Sequence, residues 1–171
     1  MIKILPKKWI NNGKEPFSLH NFHLVRNQQR LYINKPKGGF WLSEYTPNQK
    51  FPSHWHWLAK SNGYSLKPNN YIYILTDHPN IFIIKNKADY NKLISFYCIK
   101  YSNPLISEIS LNCIDFEELN KDWNGIYLTE NGLEETSTCF EHPNFSSWDC
   151  SSLIIFDPII LNNYFSLQKG F

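Results

Sequence analysis

Most of the short signatures that assign a function directly are missing from this 171-residue chain. It has no G-x-x-x-x-G-K-[ST] phosphate loop and no G-x-G-x-x-G fingerprint, which sets aside ordinary ATPase and Rossmann readings. No G-x-S-x-G elbow surrounds Ser43, Ser151 or Ser152, so serine-nucleophile chemistry is not expected. The four cysteines, Cys98, Cys113, Cys139 and Cys150, show neither C-x-x-C spacing nor a paired histidine motif. They read as reduced thiols packed in the fold, not as a zinc cage or a disulfide frame. No apolar run reaches bilayer length, and the segment 1–9 lacks the apolar centre of a secretory signal. A soluble, cytoplasmic protein without a membrane partner is the expectation. Repeats, low-complexity tracts and linkers are absent too, which implies a single domain over residues 1–171.

Aromatic residues, by contrast, are plentiful. They make up 16% of a chain that is 42% hydrophobic and 19% charged, so wholesale disorder is not expected, and a rich core with aromatic-lined surfaces is. A net charge of +2 is too small to argue for a nucleic-acid partner and does not oppose one. Residues 1–20, basic and broken by Pro6, Gly13 and Pro16, read as a weakly structured lead-in. Segments 22–26, 40–43, 71–76, 81–84, 125–129 and 151–158 have strand character. Ser53 caps a predicted helix through Lys60 that ends at Asn62-Gly63. Tyr90, Leu93, Ile94, Tyr97 and Tyr101 recur at helical spacing, which predicts an amphipathic helix over 89–101. Asp115 with Glu118 has capping-box spacing and opens a short helix, while Asn131-Gly132 reads as a turn. Irregular interleaving of short strands and helices indicates an α+β fold.

Chemistry concentrates around Lys35-Pro36-Lys37-Gly38-Gly39-Phe40-Trp41-Leu42-Ser43. Gly38 and Gly39 allow positive φ and close backbone approach to a ligand. Trp41 offers a flat face to a planar ring, and the run ends in a serine of exposed type. The plainer reading is a β-turn entering an edge strand, with its tryptophans in the core. His54 and His56 invite a metal. On a helix, however, residues two apart face differently, and no Asp, Glu or Cys stands at a useful offset, so no metal is expected. Glu117-Glu118 and Glu134-Glu135 read as solvated surface. There remain Arg26 at a strand end, the Gly-Gly-x-Trp-x-Ser run, and Trp148-Asp149-Cys150 before the last strand. A cation, an aromatic shelf and a carboxylate suit cleavage of the nicotinamide–ribose bond of NAD. The carboxylate stabilises an oxocarbenium-like sugar, the guanidinium holds pyrophosphate, and the ring stacks on nicotinamide.

The order of these elements resembles the ADP-ribosyltransferase superfamily. Leu24-Val25-Arg26 is similar to its first motif, and Gly38-Gly39-Phe40-Trp41-Leu42-Ser43 to its glycine-rich turn and strand. Trp55-His56-Trp57-Leu58-Ala59 is similar to its helix, and residues 152–158 to its late strand. K-P-x-G-G-x-W-x-S, D-W-N-G-I and W-D-C-S-S resemble small bacterial and phage proteins of this superfamily, a likeness spanning residues 22 to 160. The resemblance implies an ADP-ribosyltransferase-like split β-sandwich with short flanking helices, NAD as substrate and no metal. The implied activity is mono-ADP-ribosylation of a protein or nucleic acid, in a toxin or phage–host conflict, with an inhibitory partner if it is a toxin. Arg26 would anchor the dinucleotide, and Gly38, Gly39, Ser43, Trp57 and Trp148 would shape the cofactor site around Trp41. Ser152 stands where the superfamily carries its catalytic glutamate, which passes that role to Asp149, with Glu130 in reserve. Trp41 replaces a common tyrosine and keeps the stacking surface. The alternatives are a non-catalytic nucleotide- or RNA-binding module and an NAD glycohydrolase.

Overall fold

A computed structural model describes residues 5–28, 34–103, 106–137 and 143–167. Its strands are β1 (Lys8–Gly13), β2 (Phe40–Glu44), β3 (Asn69–Leu75), β4 (Ile81–Ile84), β5 (Cys98–Asn103), β6 (Ile106–Ile114), β7 (Gly125–Leu128), β8 (Ser152–Ile155) and β9 (Leu161–Leu167). The helices are α1 (His54–Ser61), α2 (Lys87–Phe96), α3 (Phe116–Asp122) and α4 (Glu130–Ser137). Seven strands form one sheet in the order β4-β7-β8-β2-β1-β3-β9, and β5 and β6 form a separate antiparallel pair. Within the large sheet β4 and β7 run parallel and the other neighbours antiparallel. The fold is α+β, as the irregular interleaving predicts.

Strand β8 carries the continuous apolar run of a strand covered on both faces, and all four of its residues are buried. Alternation along the strands then builds two cores. Ile126, Leu128 and Ile154 face Tyr90 and Leu93 of α2, Phe116 and Leu119 of α3, and Phe145 and Trp148. Leu42, Tyr127, Leu153 and Ile155 face the other way, with Trp9, Tyr73 and Ile160.

The amino-terminal lead-in is the largest departure from expectation. Residues 8–13 form an interior strand hydrogen-bonded to both β2 and β3, and Trp9 is fully buried. The stretch is polar because Asn11 and Asn12 spend their side chains on neighbouring strands, so periodicity does not betray it. Further on, the Phe17 amide donates to the Tyr73 hydroxyl at 2.8 Å, tying the lead-in to the sheet.

Residues 22–26 are not a strand. A single antiparallel bridge joins Arg26 to Lys37, and Gly39 donates to the His23 carbonyl at 2.8 Å. Gly38 and Gly39 have φ of 72° and 68°, and a Cβ on Gly38 would lie 2.3 Å from the Leu24 carbonyl oxygen. Glycine is required there for chain crossing.

The predicted cap at Ser53 is present: its hydroxyl accepts from the His56 amide, and Gly63 ends the turn at φ 70°. Helix α2 stops at Phe96 instead of continuing to Tyr101, because Cys98 and its successors pair with β6. Asp115 caps α3 by accepting from the Glu118 amide at 3.0 Å. The reciprocal half of the box is absent, since the Asp115 amide donates to the Tyr97 carbonyl and Glu118 pairs with Lys121. Asn131-Gly132 lies inside α4 and is not a turn. Cys113 and Cys150 are buried free thiols, Cys98 is a free thiol but exposed on β5 and so not packed in the fold, and Cys139 falls outside the described residues. Among the described residues no helix is long and apolar enough to cross a membrane.

Candidate functional site

The cleft lies where the sheet parts. Along β2, Phe40, Trp41 and Leu42 pair with β8, whereas Ser43 and Glu44 pair with Ile10 and Trp9 of β1. Beyond Ile10 the backbone ladder between β1 and β2 stops, and the Asn11 carboxamide spans the gap, donating to the Trp41 carbonyl at 3.0 Å. A side chain thus replaces a strand hydrogen bond, leaving room between two half-sheets. The cleft there has a volume of about 310 Å³. Asn11, Lys35, Trp41, Ser43, Trp55 and Asp149 supply most of its functional wall, with Cys150 and Ser152 from the approach to β8.

Three of the residues singled out from the sequence therefore meet: Trp41, Ser43 and Asp149 share the cleft although more than a hundred positions separate the first from the last. Ser43 is only 6% exposed, not the open serine that the motif suggested. Asp149 receives the Lys35 ammonium at 3.0 Å, and the same ammonium sits 5.0 Å from the centroid of the Trp41 ring. Trp41 in turn borders Trp148, with ring centroids 5.0 Å apart. Trp148 is buried behind the wall, where its indole N–H donates to the Asn34 carbonyl at 2.6 Å. Its place is to brace Trp41 and the backbone at Asn34.

The other sequence candidates lie elsewhere. Arg26 does not line the cleft; its guanidinium stands 3.6 Å from the Glu117 carboxylate on α3, and both side chains are largely exposed. Gly38 packs under the chain crossing at His23 and Leu24, and Gly39 against Ile154 and Val25. Trp57 is 48% exposed beside His54. The helix explains that outcome: residues two apart diverge, so Trp55 faces the cleft and Trp57 leaves it. Glu130 is exposed at the start of α4.

Behind the cleft runs a polar chain that the sequence did not disclose. His56 contacts the Ser53 hydroxyl and the Asn70 carboxamide oxygen, each at 2.8 Å, and Asn70 also accepts from Asn12 at 2.9 Å. A carboxamide oxygen only accepts, so His56 carries its proton on Nε2 and its Nδ1 accepts from Ser53. Burial pushes the His56 pKa below its ordinary value, against the opposing pull of Asn70. Burial likewise raises the Cys150 thiol, opposed by its side-chain contacts with Ser152 and Ser43. Cys150 is thus a protonated wall residue, unsuited to nucleophilic work near neutral pH. The Ser152 hydroxyl donates to the Cys150 carbonyl at 3.0 Å and shapes the approach to β8. Among the described residues no three His, Cys, Asp or Glu side chains gather as a metal site.

Lys35, Asn11 and Trp55 line the cleft without carrying a signal of their own in the sequence. Lys35 is the first residue of the glycine-rich run, Asn11 lies in the stretch expected as a lead-in, and Trp55 has the same local signal as Trp57. Compared with known protein families, curated proteins and solved structures, the chain matches none of them.

Proposed function

We propose that this protein is an NAD-dependent mono-ADP-ribosyltransferase acting on a macromolecule, with its chemistry in the cleft between β1, β2 and β8. One observation carries the reading: Trp41, Ser43 and Asp149 converge on a cavity where the sheet splits. That parting also accords with an ADP-ribosyltransferase-like split β-sandwich, which belongs to the same proposal. A volume of about 310 Å³ lies at the small end of ligand sites and suits nicotinamide with its ribose, not a whole dinucleotide.

In the reaction, the bond between the nicotinamide nitrogen and ribose C1′ breaks, and its electron pair leaves with nicotinamide. Positive charge develops on the ribose, where the Asp149 carboxylate opposes it. An oxygen or nitrogen of the acceptor then bonds to C1′ and gives its proton to water or to Asp149. Trp41 stacks on the departing ring, and Ser43 supplies a hydroxyl to the buried end of the cleft. Arg26 has no part in this scheme; the cation at hand is Lys35.

Incubation with NAD tests the reading. Nicotinamide should be released with ADP-ribose transferred to a lysate fraction, protein or nucleic acid. Asp149→Ala should lower release by about 100-fold or more while preserving the circular dichroism spectrum. Saturable NAD binding without nicotinamide would instead identify a nucleotide-binding module. Release without labelling would identify a glycohydrolase.

A further inference from the structure

The geometry points to a site for a planar organic cation on Trp41 and Asp149, with Lys35 as its built-in competitor. An indole face and a carboxylate side by side form a receptor for positive charge, and the chain already fills it with its own ammonium. The Lys35 nitrogen is 3.0 Å from Asp149 Oδ2 and 5.0 Å from the Trp41 centroid, inside the range of cation–π attraction. This occupancy is weakly held. The Asp149 side chain is 53% exposed and that of Lys35 is 31% exposed, and open ion pairs are worth little. The backbone on either side is anchored instead: Asn34 and Pro36 are buried, and Asn34 accepts from both Trp148 and the Ile114 amide. The lysine side chain can therefore swing off a fixed pivot while its receptor stays in place.

A flat cation entering the adjoining cavity takes both attractions at once, whereas a neutral ring of the same shape takes only the stacking. The inference rests on the transferase reading for the natural ligand alone. The nicotinamide ring of NAD is such a cation, so on that reading Lys35 leaves Trp41 and Asp149 before the ring can seat there.

Calorimetric titration with 1-methylnicotinamide (cationic) and nicotinamide (neutral) reads this directly. Lys35→Met should bind 1-methylnicotinamide about tenfold tighter than wild type and leave nicotinamide unchanged. Asp149→Asn should reduce the preference for the cation to what the Trp41 face alone supplies. Unchanged or weaker cation binding in K35M, an equal gain for the neutral ring, or a preference undiminished in D149N overturns the inference. Cation binding without NAD cleavage sinks the transferase reading and leaves this site standing. NAD cleavage with no cation preference does the reverse.

Discussion

At the residue scale, His56 shows how a side chain that looks like a metal ligand serves a different end. Buried between Ser53 and Asn70, it is held neutral, with its pKa depressed by desolvation. The unfolded chain binds a proton there near pH 6.5 while the folded chain resists it, so the folded state loses stability as pH falls below that value. The slope contributed is at most about 1.4 kcal/mol per pH unit. Denaturant midpoints measured from pH 7.5 to 5.5 should therefore fall more steeply for wild type than for His56→Gln. Parallel curves would show that His56 titrates alike in both states. The adjacent histidine, His54, is spent differently, on a tilted ring contact with Trp57.

At the element scale, α4 reverses the usual meaning of Asn-Gly. Thr129 accepts from the Gly132 amide at 3.0 Å and starts the helix one residue before Glu130. Asn131 reaches the Lys85 carbonyl at 2.7 Å, fastening the first turn to the end of β4. A Cβ on Gly132 would lie 2.3 Å from the Ile84 carbonyl oxygen, a backbone atom with no freedom to retreat. Helix propensity alone makes Gly→Ala stabilising by about 1 kcal/mol. Here overpacking outweighs it, and Gly132→Ala should destabilise the protein by about 1–3 kcal/mol in urea unfolding. A gain in stability would mean that α4 does not pack this closely on β4. The same local-versus-distant contest ends α2 early, where pairing of β5 with β6 wins over helical spacing at Tyr97 and Tyr101.

At the scale of the whole molecule, the sheet separates two cores, and β1 joins its halves. Trp9 is fully buried and meets the Tyr127 ring edge-on with centroids 4.8 Å apart, linking the first strand to a residue near the other end of the sheet order. Trp9→Ala should cost about 3–5 kcal/mol, the range for emptying a large aromatic site in a core. Chemical denaturation reads this, and a loss under 1 kcal/mol would return residues 8–13 to the status of a loose lead-in. Because β1 also forms one wall of the cleft through Ile10 and Asn11, the same variant should weaken any ligand bound beside Trp41.

Elements whose code is local were legible in the amino-acid order. Ser53 and Asp115 act as caps within three residues of themselves, and β3, β4, β7 and β8 carry their strand signal in β-branched and aromatic runs. Trp41, Ser43 and Asp149 stood out through the order of short motifs along the chain, and the fold brings all three to one cleft. Features that depend on a distant partner were not legible. β1 is a strand because β2 and β3 supply its hydrogen bonds, the cleft exists because Asn11 substitutes for a ladder bond, and its cation is Lys35 because Arg26 turns toward α3. Short-range propensity is written residue by residue, whereas a gap between strands is a property of how the whole chain closes.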